Sequence, residues 1–161
     1  MSEHGLLPFV DAWSVDIDAP PRAVWEALLT AGPASRAGTA IQFWARLLGC
    51  DPREHNGLAP HRIGAERPGF AVCEAVPATT YALTGRHRFA IYQLVFRITQ
   101  PEGVGSRLTA ETFASFPGAA GRVYRTLVIN ARPHALVMWL TLRMLRRRAE
   151  ALARRQDARS A

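Results

Sequence analysis

The chain reads as a single α+β domain, and three features of the sequence predict this. An alternating stretch near the start gives way at once to prolines and a short helical pattern. A run of alternating stretches joined by short turns fills the middle, which implies an antiparallel meander. A long amphipathic pattern closes the chain. The length of 161 residues fits one domain, taken as residues 1–155, with 156–161 read as a disordered tail. Apolar residues make up 48% and charged residues 20%, which supports a sizeable core and excludes an intrinsically disordered chain.

Phe9 to Ile17 is the first strand. Phe9, Trp13, Val15 and Ile17 share one face, which only Asp11 interrupts. "DAPP" stops it, and proline suits the first turn of the helix that follows, where its missing N–H would be unpaired anyway. That helix covers Arg22 to Leu29 and offers Val24, Trp25, Leu28 and Leu29 to a core. After the loop "GPASRAG", a second short helix is expected from Thr39 to Leu48, with Ile41, Phe43, Trp44, Leu47 and Leu48 apolar. Gly49 to Gly69 holds seven glycines and prolines, so a long connection is expected, with at most one short strand near Leu58 to Ile63.

Strands follow at Phe70 to Val76, Thr79 to Gly85, Phe89 to Thr99 and Ser106 to Ala114. The third of these is the clearest: Ala90, Tyr92, Leu94, Phe96 and Ile98 form an unbroken inward face. On the outer face, Glu111 is placed to pair with Arg97 or Arg107 across strands, a contact of a few tenths of a kcal/mol (about 0.2–1). Arg86, His87 and Arg88 read as a solvated hairpin end.

From Ala120 to Leu152 a stripe recurs at helical spacing: Ala120, Val123, Leu127, Asn130, Ala131, His134, Met138, Thr141, Leu145, Ala149 and Leu152. Pro133 removes one backbone hydrogen bond and should kink or break the helix near Ile129 to Asn130. Only ten residues separate Arg132 from Arg143, short of the roughly twenty that span a bilayer.

The net charge is +7 and every basic residue is arginine. Arginine throughout in place of lysine points to codon bias, so the charge does not argue for nucleic acid. Seven arginines lie between Arg143 and Arg159, opposed only by Glu150 and Asp157. Weak contact with an anionic membrane surface through Arg146, Arg147 and Arg148 is the one electrostatic partner this suggests. Cys50 and Cys73 form no spaced motif, and no secretory signal is visible, so a cytoplasmic chain with reduced thiols is expected. The five histidines show no ligand spacing, and no phosphate loop or catalytic triad can be argued; neither metal nor cofactor is expected.

"VDAWSVDIDAPPRAVWEALL" resembles the opening of the START-like superfamily, also called SRPBCC, which includes the major birch-pollen allergen, lipid-transfer domains and aromatic polyketide cyclases. Phe116-Pro117-Gly118, Gly121 to Tyr124 and Pro133-His134 are similar to the closing part of a less-characterised branch. The resemblance implies a helix-grip fold: a curved antiparallel sheet of six to seven strands around a long C-terminal helix, with two short helices after the first strand. It implies a cavity between sheet and helix.

Asn130 and His134 then border that cavity, one turn apart. Tyr92, Phe96, Thr112, Leu127, Met138 and Thr141 line it, and Tyr81 and Trp44 flank it. The function expected is binding of a hydrophobic small molecule, such as a lipid, polyketide or isoprenoid, by a monomer or homodimer. The alternatives are a cyclase or dehydratase in which His134 or Tyr92 moves a proton, and an interaction protein working through the basic end. Fold alone does not choose among these.

Overall fold

The computed structural model describes residues 7–31, 49–102, 105–127 and 133–160. Its elements are β1 (Phe9–Ile17), α1 (Pro21–Ala31), β2 (Glu66–Arg67), β3 (Phe70–Val76), β4 (Thr80–His87), β5 (Ala90–Thr99), β6 (Ser106–Ser115), α2 (Gly118–Arg125) and α3 (Pro133–Ser160). The strands form one curved antiparallel sheet in the order β1-β6-β5-β4-β3-β2, with the helices on one side, which is the helix-grip arrangement. The helix expected over Thr39 to Leu48, and the predicted kink at 129–130, lie outside the described residues.

Strand boundaries fall close to the alternation that predicts them. The short strand expected near Leu58 to Ile63 is instead the two-residue β2, paired with Phe70 and Ala71. A pattern of two residues carries no period, so composition alone could not place it.

β1 closes the sheet by pairing with β6, from Phe9 opposite Phe113 to Ile17 opposite Ser106. A bulge between Phe9 and Asp11 shifts the register and corrects one expectation. Phe9 leaves the inward stripe and packs edge-to-face on Phe113, ring centroids 5.8 Å apart. Asp11, Trp13, Val15 and Ile17 keep the inner face.

The core divides along the sheet. At the end formed by Ile17, Leu108, Ala110, Phe96, Ile98, Tyr81 and Leu83, α1 and the later turns of α3 bury everything. Val24, Trp25 and Leu28 come from α1; Met138, Leu142, Leu145 and Ala149 come from α3. Arg148 Nε donates to Thr30 Oγ1 at 3.0 Å, and Gln156 Nε2 donates to Glu26 Oε2 at 3.3 Å, so the two helices are also tied by polar contacts. Residues 156–160, expected as a tail, are the last turn of α3. The buried Arg67 donates to the Leu29 carbonyl at 3.3 Å, satisfying an end of α1 that has no intrahelical partner.

The single long stripe does not hold. Val123 and Leu127 are exposed while Met138 is buried, although a continuous helix would put all three on one side. α3 begins at Pro133, where proline is tolerated as a first helical residue, and its buried line is Met138, Leu142, Leu145 and Ala149.

Outside the sheet, Arg97 Nε and Glu111 Oε2 pair at 3.0 Å, as the spacing suggests, while Arg107 is taken by Asp16 at 2.7 Å. His87 is not at a solvated end. It turns inward, and among the described residues only Arg86 of the three reaches an acid, Asp51, at 2.7 Å.

Gly85 marks the tightest crossing. A Cβ there would collide with the Gly69 carbonyl and lie 2.9 Å from the Tyr92 ring. Gly85→Ala is therefore expected to lower stability by about 1–3 kcal/mol through overpacking, read as a reduced urea midpoint at unchanged m-value.

Candidate functional site

The half of the inner face nearer the start of β1 is sealed less completely. Trp13, Val15, Tyr92 and Leu94 are only half-buried there. Register sets their company: Asp11 lies opposite Thr112, Thr112 opposite Leu94, and Ala114 opposite Tyr92. α3 runs in the direction of β1, with His134 beside Asp11 and Glu150 near Asp18. Its first turn therefore hangs over this end.

Four polar groups meet. Trp13 Nε1 donates to Asp11 Oδ2 at 3.1 Å. His134 Nε2 lies 3.4 Å from the same oxygen and 3.3 Å from Thr112 Oγ1. Asp11 Oδ1 is buried and has no hydrogen-bond partner. A buried polar atom left unpaired costs about 1–3 kcal/mol, more for a charged group. An imidazole with its proton on Nε2 satisfies Oδ2 and leaves Nδ1 as the ring acceptor. The carboxylate thus presents one spent oxygen and one open one.

An aromatic cluster adjoins along β5. His87 lies 4.8 Å from the Tyr124 ring and 5.5 Å from Tyr92, and Phe89 stacks on Tyr124 at 5.4 Å. Gly121 permits this, because a Cβ at that position would sit 2.7 Å from the Phe116 carbonyl carbon and 3.0 Å from the Phe89 oxygen. α2 can therefore lie flat on that backbone and lower Tyr124 onto the rings. Tyr92 Oη donates to the Gly69 carbonyl at 2.6 Å. Burial, then the neighbouring Cys50 and Tyr124, push the Tyr92 phenol well above its ordinary value; burial likewise raises Cys50.

The residues expected to line a cavity separate into groups. Thr112, His134 and Tyr92 come together at this end. Phe96 and Met138 are buried in the sealed core, and Tyr81 is buried there too, its hydroxyl donating to the Pro60 carbonyl at 2.8 Å. Thr141 turns its hydroxyl back to the Val137 carbonyl at 2.8 Å. Leu127 is 62% exposed. Trp44 and Asn130 lie outside the described residues. Asp11 and Trp13 were not among the expected site residues, although Asp11 is the one break in the apolar face of β1. Among the described residues no group of histidine, cysteine and carboxylate side chains is placed to hold a metal ion, and no helix is long and apolar enough to cross a membrane.

No protein-family model matches the chain, and no curated protein matches it. Solved structures do. A solution structure of a Thermobifida fusca protein aligns over 88% of this chain and 93% of its own, at 18% identity and a TM-score of 0.54. A crystal structure of a Chromobacterium violaceum protein covers 89% and 99%, at 20% identity and a TM-score of 0.51. Ara h 8.0201 covers 88% and 95%, at 12% identity and a TM-score of 0.51. At these identities the likeness shows the fold alone, the helix-grip arrangement described above.

His87 supplies a pH test of this end. Burial lowers its pKa below the ordinary imidazole value, and its Nδ1 accepts the Phe89 N–H at 3.1 Å, which requires the neutral ring. Its stabilising contribution is complete above the unfolded-state pKa and is lost as pH falls through the folded one. The urea midpoint should fall between about pH 7 and pH 5, and His87→Phe should flatten that fall by up to about 1.4 kcal/mol per pH unit. Identical slopes for both proteins would show that His87 is not the group responsible.

Proposed function

We propose that the protein binds a hydrophobic small molecule bearing a hydroxyl or other hydrogen-bond donor at one end. The apolar body lies against Trp13, Leu94 and Tyr92, and the donor is taken by Asp11 Oδ1. The observation that carries this reading is that oxygen: buried, unpaired, and set among half-buried apolar side chains. A few placed polar groups in an apolar lining are what orient a ligand in such sites. A lipid, polyketide or isoprenoid alcohol has this chemistry. Thr112 and His134 sit beside the carboxylate and discriminate among polar ends.

A second reading rests on the 3.4 Å contact of His134 with Asp11. A carboxylate that orients an imidazole is the arrangement a proton-transferring enzyme of the cyclase or dehydratase type uses. Tyr92 does not suit that role, because its proton is committed to the Gly69 carbonyl and its pKa is raised.

The test compares a fluorescent long-chain alcohol with its methyl ether. The alcohol should bind about tenfold or more tightly, since a hydrogen bond to a charged group contributes about 1.5–3 kcal/mol. Asp11→Leu should abolish that preference, because it removes the acceptor Oδ1. His134→Ala should weaken binding of the alcohol more than of the ether. Equal affinities for alcohol and ether in the native protein would overturn the proposal.

A further inference from the structure

α3 carries a second apolar face that the sheet does not use. Leu136, Val137, Trp139, Leu140 and Met144 are about half exposed or more, on the side opposite Met138, Leu142 and Leu145. A helix apolar on both sides is ordinarily covered on both. Trp139, Leu140, Arg143, Met144 and Arg147 line a groove of about 350 Å³ here. The Arg143 guanidinium lies over the Trp139 ring, 5.0 Å from its centroid. Arg147 follows one turn later, and Arg154 continues the same side seven residues on.

We infer that this face seats the protein on the surface of an anionic lipid bilayer. Apolar side chains grouped with tryptophan and arginine fit the boundary between headgroups and acyl chains, where the rings and leucines insert and the guanidinia meet phosphate. Charge decides the occupant. Among the described residues no carboxylate lines the groove, so a twofold pairing of two copies would press Arg143 and Arg147 against their own counterparts. Anionic headgroups neutralise them. The helix lies in the surface, since no described helix can cross it. Arg146 and Arg148 serve elsewhere, held by Glu150 at 2.8 Å and Thr30 at 3.0 Å, so the contact works through Arg143 and Arg147. None of these residues belongs to the inner-face site, and the inference stands whether or not a ligand occupies that site.

The experiment is co-sedimentation of the full chain with vesicles of phosphatidylcholine containing about one-third phosphatidylglycerol, against pure phosphatidylcholine. Partitioning should be at least tenfold stronger on the anionic vesicles and should fall at high salt. Replacing both charges, Arg143→Gln with Arg147→Gln, should cost about thirtyfold, and Leu140→Ser with Met144→Ser should also weaken binding. Folding of each variant is checked by circular dichroism. A readout on the native chain accompanies these variants: brominated lipid should quench part of its fluorescence, and the quenched part should vanish in Trp139→Phe. Equal binding to both vesicle types, variants that bind like the native chain, or quenching unchanged by Trp139→Phe would each overturn the inference. So would a failure to bind vesicles accompanied by a dimer that Leu140→Ser disperses.

Discussion

The pairing of β1 with β6 is the contact on which the rest of the molecule depends. It joins residues 9–17 to residues 106–115 and makes the sheet continuous from β2 to β1. Without it, α1 would have no floor at Ile17 and Leu108, and α3 would lose the strand beside which it runs. The same pairing makes the site. Asp11 reaches Thr112 because the bulge after Phe9 advances the register by one residue, turning Phe9 outward and leaving Asp11 inward. Bulges bend a strand and re-aim its side chains. Here one bulge sets both an outer aromatic pair and an inner carboxylate.

That carboxylate is an expensive feature in a small domain. Trp13 and His134 both address Oδ2, and neither reaches Oδ1. An apolar residue of similar size would remove the unpaired atom altogether. Its neighbours are meanwhile left half-buried, whereas the other end of the same inner face is packed to completion by α1 and α3. An incompletely sealed apolar surface and an unsatisfied polar atom in one place are two local violations of packing rules that the rest of the domain obeys. Such violations concentrate where a structure has a task besides folding.

Much of this was legible in the sequence, and what was not has identifiable causes. Period-two alternation placed β1, β3, β4, β5 and β6 within a residue or two, because each buries one face. β2 has two residues and therefore no period. His134 and Thr112 were legible as inward positions because each sits in phase with buried neighbours on its own element. Leu127 was misplaced because one phase was carried across Pro133, whereas the buried line of α3 is Met138, Leu142, Leu145 and Ala149 and Leu127 is exposed. The meeting of Asp11 with His134 joins residues more than a hundred positions apart, which no local pattern encodes. Its trace was the single acidic residue in an otherwise apolar face of β1. The solvated reading of His87 failed for a similar reason: α2 brings Tyr124 down upon it, and only Gly121, small enough for that approach, hints at the packing.

The start of α3 joins the two functional readings. Within seven residues it presents His134 to the inner face and Leu136, Val137, Trp139 and Leu140 to the outside. A helix has room for both because its faces are addressed by residues three and four apart. The consequence is geometric. A bilayer that receives the outer face lies one helix diameter, roughly 10 Å, from the half-sealed end of the sheet. A hydrophobic molecule leaving the inner face there would cross little water before meeting acyl chains. The arginines further along α3 keep to the sides that water or headgroups can reach, while Leu142, Leu145 and Ala149 hold the helix on the sheet. Under the two proposals, grip and docking use opposite sides of one element, and Asp11 at the near end of β1 is the group that would hold the polar end of a ligand.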